Sequence, residues 1–205
     1  MTVALNVYMY SRASLTRSFR PRIRIPFTWA ACACVLAALG AGTIAVAGPE
    51  QLSGVKNFGR VTENIFRGGD VTTRGLENLH DLGVRTVIDL AGDDPDERST
   101  CQRLGITHYR FPMDADERPE DATVDRILRI LRNARERVYL HCSGGKHRAG
   151  TITALYRIRV QHWSLEDAWA EQRAYGFGSP KNHRKLFEYV YGRGAASKSK
   201  YRSTD

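Results

Sequence analysis

The residue types that could do chemistry gather in one run, His141-Cys142-Ser143-Gly144-Gly145-Lys146-His147-Arg148-Ala149-Gly150. A tight loop that opens a helix turns several backbone N–H groups inward, making an anion nest at the positive end of the helix dipole. Gly144 and Gly145 permit the left-handed or strained dihedrals such a loop needs. A cysteine at the foot of the nest, Cys142, feels those N–H groups, the dipole and Arg148, all of which favour thiolate over thiol. Six positions on, Arg148 can reach back and bind two oxygens of a phosphoryl group bidentately, a geometry lysine cannot copy. The set suits nucleophilic attack on a phosphate monoester. The blander alternative is a buried structural cysteine beside a surface arginine. Average residue frequencies put His-Cys-x-x-Gly-x-x-Arg in only about one chain of this length in a few thousand.

Such a loop has to be presented by a strand and received by a helix, and both are legible. Arg137 to His141 (RVYLH) reads as a strand running into the glycine turn, and Ala149 to Val160 as the helix that follows. Upstream, Thr73 to Leu82 is expected as a helix stopped by Gly83, Val84 to Leu90 as a buried strand, Asp96 to Leu104 as a short helix, and His108 to Met113 as a strand. Thr123 to Ala134 sets Val124, Ile127, Leu128 and Leu131 on one helical face. Ser164 with Asp167 marks a capped helix to Tyr175, and Lys181 to Tyr191 a last one. Alternating strands and helices imply an α/β layered domain with a largely parallel sheet.

Length and composition agree. The 205 residues, 42% apolar and 26% charged, suit one domain with appendages and exclude wholesale disorder or a polytopic membrane protein. The net charge of +9 would suggest nucleic acid if it were spread over a folded surface. Instead, residues 1–26 hold Arg12, Arg17, Arg20, Arg22 and Arg24 with no acid. Arg193, Lys198, Lys200 and Arg202 lie in the terminal 192–205 stretch, and the part between is nearly neutral, so no nucleic-acid partner is expected. Residues 27–47, FTWAACACVLAALGAGTIAVA, are uncharged and long enough to span a bilayer as a helix. They predict a membrane anchor with the catalytic domain outside the cytoplasm. The competing expectation is a signal peptide cleaved after Ala47, giving a secreted protein. The predicted organisation is a basic leader (1–26), the apolar segment (27–47), a linker (48–56), the catalytic domain (57–191) and a disordered basic tail (192–205). Cys32 and Cys34 fall in the apolar segment, which leaves Cys101 and Cys142 and no disulfide framework. Cys101 is either an inert buried thiol or a disulfide partner for Cys142 on oxidation.

HCSGGKHR resembles the H-C-x5-R signature of the cysteine-dependent protein-tyrosine phosphatase superfamily, in particular its small dual-specificity-like branch. The resemblance covers most of residues 57–191. NFGRVTENIFRGGDVTTRGLENLHDLGVRTVIDL is similar to the opening of those enzymes, and GGKHRAG to the loop of their atypical plant, fungal and bacterial members. YRIRVQHWSLEDAWAEQRAYGF is similar to the helical end of the bacterial group. The resemblance implies a three-layer α/β fold in which helices flank a mostly parallel sheet of four to five strands. To this the sequence adds one N-terminal hydrophobic helix. The reaction implied is hydrolysis through a phosphocysteine on Cys142 with Arg148 holding the transition state, and with no cofactor or metal. Ser143, Gly144, Gly145, Lys146, His147 and Arg148 would bind substrate, and His141 would support the loop.

The family also supplies an aspartic acid from the loop before the helix that precedes the cysteine strand, here Met113 to Pro119. Asp116, three residues before Pro119 as in the phosphoinositide-cleaving branch, is the expected acid, and Asp114 the alternative. Phosphotyrosine in proteins heads the implied substrates. Lys146 and His147, adding positive charge at the mouth of the loop, resemble members that act on inositol phosphates and phosphoinositides. One departure stands out: the family's Ser or Thr after the arginine is Ala149 here, which admits a pseudophosphatase that binds phosphate without turnover. A rhodanese-like sulfurtransferase ranks last, because the arginine spacing fits phosphate better.

Overall fold

A computed structural model of the chain describes residues 47–193. The first strand, β1 (Gly59–Arg60), pairs antiparallel with β2 (Ile65–Gly68) at the sheet edge. Helix α1 (Thr73–Asp81) follows, begun by the Thr72 hydroxyl accepting from Gly75 N and ended by Gly83 at a φ of +85°. After β3 (Val84–Asp89), helix α2 (Pro95–Arg103) starts at Asp94, whose carboxylate accepts from Asp96 N and Glu97 N. Strand β4 (Thr107–Arg110) stops short of the expected Met113. Pro112 has no N–H, so only Phe111 N and Met113 N continue to bond the β3 side, to Asp89 O and Leu90 O. Then come α3 (Asp121–Arg132), β5 (Arg137–His141), α4 (Arg148–Arg159), α5 (Leu165–Ala174) and α6 (Arg184–Tyr191).

The sheet order is β1-β2-β5-β3-β4, and every pairing except β1 with β2 is parallel. Helices α1 and α2 cover one face, where Leu76, Leu79, Val87, Cys101 and Tyr139 pack. On the other face α3 and α4 bury Ile127, Leu128, Ile152 and Leu155 against Ile88, Val138 and Leu140. Alternation along β5 sorts its side chains: Val138 and Leu140 go to the α3/α4 face and Tyr139 to the α1/α2 face. Helix α4 is buried from Ala149 to Arg157 without a polar stripe, as befits a helix packed by α3, α5 and α6 as well as the sheet. Beyond it, Trp169, Phe177, Phe187 and Tyr191 form an aromatic cluster that joins α5 to α6.

The α/β sheet is the expected one, mostly parallel and five-stranded. The N-terminal hydrophobic helix is not part of the described structure. The expectation of a membrane-anchored protein, or one carrying a signal peptide, is corrected: among the described residues no helix is long and apolar enough to cross a membrane. The leader, the apolar segment up to residue 46 and the tail from residue 194 lie outside the described residues. Residues 48–56 run against the domain: Glu50 N bonds Phe58 O, Lys56 N bonds Asp70 O, and Leu52 and Val55 pack on the α1/α2 core.

Candidate active site

In a parallel sheet ligands sit beyond the carboxyl ends of the strands. Here the ends of β2, β3, β4 and β5 converge on residues 141–148. Strand β5 lies between β2 and β3, with His141 in register with Gly68 on one side and Asp89 on the other. Cys142 follows at once and is 2% exposed, while Ser143, Gly144 and Lys146 are on the surface. The loop turns on Gly145 at a φ of +67°, and no side chain would fit there. A Cβ would lie 2.5 Å from Gly68 C and 2.6 Å from Gly69 N, so the loop packs backbone to backbone on the end of β2.

Arg148 is the first residue of α4, so the loop runs directly into a helix N-terminus, and no side chain caps it. Its Nη2 donates to Ser143 Oγ at 3.0 Å, and its Nη1 reaches the carbonyls of Leu90 (3.2 Å), Ala91 (3.4 Å) and Met113 (3.3 Å). One side chain thus ties the loop 141–148 to the end of β3 and to the loop 113–119. Asp114 and Asp116 are both exposed; Asp114 Oδ1 accepts from Asp116 N at 2.7 Å, and Asp116 Oδ1 lies 3.2 Å from His183 Nδ1. Ala149 is fully buried, as is Thr151, whose Oγ1 has no hydrogen-bond partner.

Several residues that hold this loop were not singled out in the sequence. Arg67 in β2 is fully buried; its Nη2 donates to Gly145 O at 2.9 Å, its guanidinium stacks 4.0 Å from the Tyr175 ring centroid, and its Nε and Nη1 have no partner. Burial pushes its pKa below the usual value, and Glu171, Tyr175 and Cys142 pull it back up. Asn57 Nδ2 donates to Gly145 O (3.1 Å) and Tyr175 O (3.0 Å) from a left-handed backbone of φ 48°. His141 points to the α1/α2 face, where its Nε2 lies 2.9 Å from Glu97 Oε1, and the same oxygen meets His108 Nε2 at 3.0 Å. The usable signals were an arginine inside the apolar run IFRGG and an acid in the first turn of α2.

His147 departs from its expected place. It is half-buried, its Nε2 bonds Phe177 O at 3.1 Å, and its ring lies 3.7 Å from that of His183. Burial, helped by His183, lowers its pKa to about 4, so it adds no charge at neutral pH and the positive charge expected of it at the mouth is corrected. Cys101 lies in the core on the α1/α2 face, where burial pushes the Cys101 thiol up to about 12, whereas Cys142 belongs to the α3/α4 core. Beside the loop a cleft of about 260 Å³ is lined by Asp70, Asp89, Asp93, Asp94 and Glu97. No cluster of three or more metal-ligating side chains occurs among the described residues.

A buried cysteine in a loop closed by a helix N-terminus and an arginine lies within a stretch that matches a known family. The model of DSP-PTPase phosphatases fused to NAD+ kinase matches residues 53–188. The chain belongs to this phosphatase family. A curated relative, the dual specificity protein phosphatase TpbA of Pseudomonas aeruginosa strain UCBPP-PA14, is 32% identical over 138 residues, 66% of this chain and 62% of the relative. The chain therefore spans under two thirds of that relative's length. The crystal structure of P. aeruginosa TpbA superposes with a TM-score of 0.63 at 30% identity, covering 73% of this chain and 92% of that one. The inositol diphosphatase SIW14 of Saccharomyces cerevisiae is 28% identical over 144 residues, 66% of this chain and 51% of the relative.

Proposed function

We propose that the chain is a cysteine-dependent phosphomonoester hydrolase of the dual-specificity type, with residues 57–191 as its catalytic domain. The observation that carries this reading is Arg148, which closes the loop 141–148 at the N-terminus of α4 while touching both Ser143 and the acid loop. Cys142 Sγ attacks phosphorus as thiolate, and the P–O bond to the leaving group breaks. Arg148 and the loop N–H groups hold the equatorial oxygens, and Asp116 gives its proton to the departing oxygen, with Asp114 the alternative donor. Water then attacks the phosphocysteine; its proton returns to the aspartate, the S–P bond breaks, and phosphate and thiolate are released. His141 supports the cysteine from the far face, and Ser143 Oγ, held by Arg148, stands in for the hydroxyl missing at Ala149.

Phosphotyrosine in a protein is the substrate favoured over an inositol phosphate. TpbA is named a protein phosphatase and has been solved in complex with phosphotyrosine, while SIW14 is named an inositol diphosphatase. A neutral His147 leaves Lys146 to supply the added charge at the mouth, which supports the single-phosphate substrate. The test is turnover of para-nitrophenyl phosphate by the full chain in the presence of a chelator. Turnover abolished by Cys142→Ser and by Arg148→Ala, and reduced by Asp116→Asn, is the expected result. Activity that survives Cys142→Ser refutes the reading; tight phosphate binding without turnover makes the chain a pseudophosphatase.

A further inference from the structure

Position 183 is the N-cap of α6, where a Ser, Thr, Asp or Asn would satisfy the free N–H groups of the first turn. The chain has His183 there, and its side chain caps nothing in its own helix. Its ring turns instead to the acid loop 67 residues earlier: Nδ1 lies 3.2 Å from Ala115 O and 3.2 Å from Asp116 Oδ1. A carbonyl oxygen can only accept, so Nδ1 carries the hydrogen and donates to both oxygens. The ring is 20% exposed although Asp116 is 76% exposed, so the contact ties an exposed carboxylate to a partner packed into the domain. Its ring also lies 3.7 Å from that of the phosphate-loop residue His147, tilted by 36°, and His147 is itself anchored to Phe177 O.

The grip continues along α6. Lys185 Nζ meets both carboxylate oxygens of Glu117 at 2.7 Å, and Tyr189 Oη donates to Asp121 Oδ1 at 2.7 Å. The N-cap residue and two side chains of α6 thus hold residues 115–121, and the histidine touches both the acid loop and the phosphate loop.

We propose that His183 is a positioning residue for proton transfer: its Nδ1–H fixes the backbone at Ala115 and one carboxyl oxygen of Asp116, leaving the other oxygen to carry the proton to the leaving group. This rests on the assignment of Asp116 as the acid. An acid matters in proportion to the basicity of the oxygen it protonates. Losing its alignment therefore harms an ester of phenol, whose leaving oxygen is as basic as that of tyrosine, at about pH 10, more than one of para-nitrophenol, a far better leaving group.

The experiment compares kcat/KM of the full chain, which reports on the step that breaks the P–O bond whatever the rate of phosphocysteine breakdown, on phenyl phosphate and para-nitrophenyl phosphate for the wild type, His183→Phe, His183→Asn and Asp116→Asn. A misfolded fraction lowers both rates equally and leaves their ratio unchanged, so the ratio isolates the acid. For His183→Phe, which keeps an aromatic ring but loses the donor, kcat/KM on phenyl phosphate falls by about tenfold or more, while that on para-nitrophenyl phosphate changes by less than about threefold. His183→Asn, which retains an N–H donor, recovers part of the ratio, and Asp116→Asn shifts it further in the same direction. If Asp116→Asn shifts the ratio and His183→Phe does not, the positioning role is overturned and the acid assignment stands. If Asp116→Asn leaves the ratio unchanged, the acid assignment has failed and the proposal falls with it.

Discussion

Glu97→Gln tests whether the support beneath the cysteine is electrostatic. The Glu97 side chain is 4% exposed, and Oε1 lies 2.9 Å from His141 Nε2 and 3.0 Å from His108 Nε2. Burial alone would push its pKa up; the hydrogen bonds and charges of His108 and His141 more than reverse that and bring it from 4.5 down to about 2. A carboxyl whose folded pKa is depressed contributes stability that is fully present above its unfolded pKa and lost as pH falls through the folded value. A drop of this size corresponds to about 3 kcal/mol, lost between roughly pH 5 and pH 2. Glutamine keeps the shape and cannot titrate. Wild type is thus expected to exceed Glu97→Gln by about 3 kcal/mol in urea unfolding at pH 7, with the gap closing toward pH 2. Tryptophan fluorescence across urea series at pH 7, 5, 4 and 3 reads this directly. A gap that stays constant over that range refutes the reasoning and reduces Glu97 to a packing residue.

Gly145→Ala places a non-glycine residue at a φ of +67° with its Cβ 2.5 Å from immobile backbone, so a loss of more than about 2 kcal/mol and a collapse of phosphate affinity are expected in thermal unfolding with and without phosphate. Arg67→Met removes a charge-assisted bond to Gly145 O, worth about 1.5–3 kcal/mol, and Arg67→Lys does not restore it because an ammonium cannot stack on Tyr175 and reach the carbonyl together; urea unfolding and kcat/KM report both effects. Ala149→Ser returns a hydroxyl next to Arg148, and rapid-quench kinetics should show faster breakdown of the phosphocysteine with a smaller burst; an unchanged second step means Ser143 already serves.

What the sequence disclosed was local. The strand Arg137–His141, its loop and the helix after it are contiguous, and hydrophobic periodicity located α1, α3 and β3 to within a residue or two. Strand β2 escaped because its centre is a buried arginine followed by glycine, which breaks both period and composition. The last helix starts at Arg184 and not at Lys181, because His183 spends its side chain on the acid loop. Asn57, Arg67 and Glu97 act on partners 44 to 118 residues away, and single-sequence periodicity has no access to such separations. His147 was misjudged for the same reason: its partners Phe177 and His183 arrive from the far end of the domain.

The distribution of charge around the loop bears on the substrate. Positive charge stands behind and beside the foot of the loop, in the buried Arg67, in Arg148 and in the N-terminus of α4. At the rim, His147 is neutral at physiological pH, and the adjoining cleft carries five carboxylates. Several of these are already matched: Asp70 by Lys56, Asp93 by Arg98 and Arg110, Glu97 by two histidines. The cleft therefore does not bring a second cation to a second phosphate. A ligand bearing one phosphoryl group places its charge at the foot, where the field is positive, and its neutral remainder outward. A polyphosphate would have to set further anions against the acidic side, where Coulomb repulsion acts within the ~8 Å over which physiological salt leaves it unscreened. Phosphotyrosine, with one phosphoryl group on a neutral ring, meets both conditions, and this charge distribution supports it as the proposed substrate.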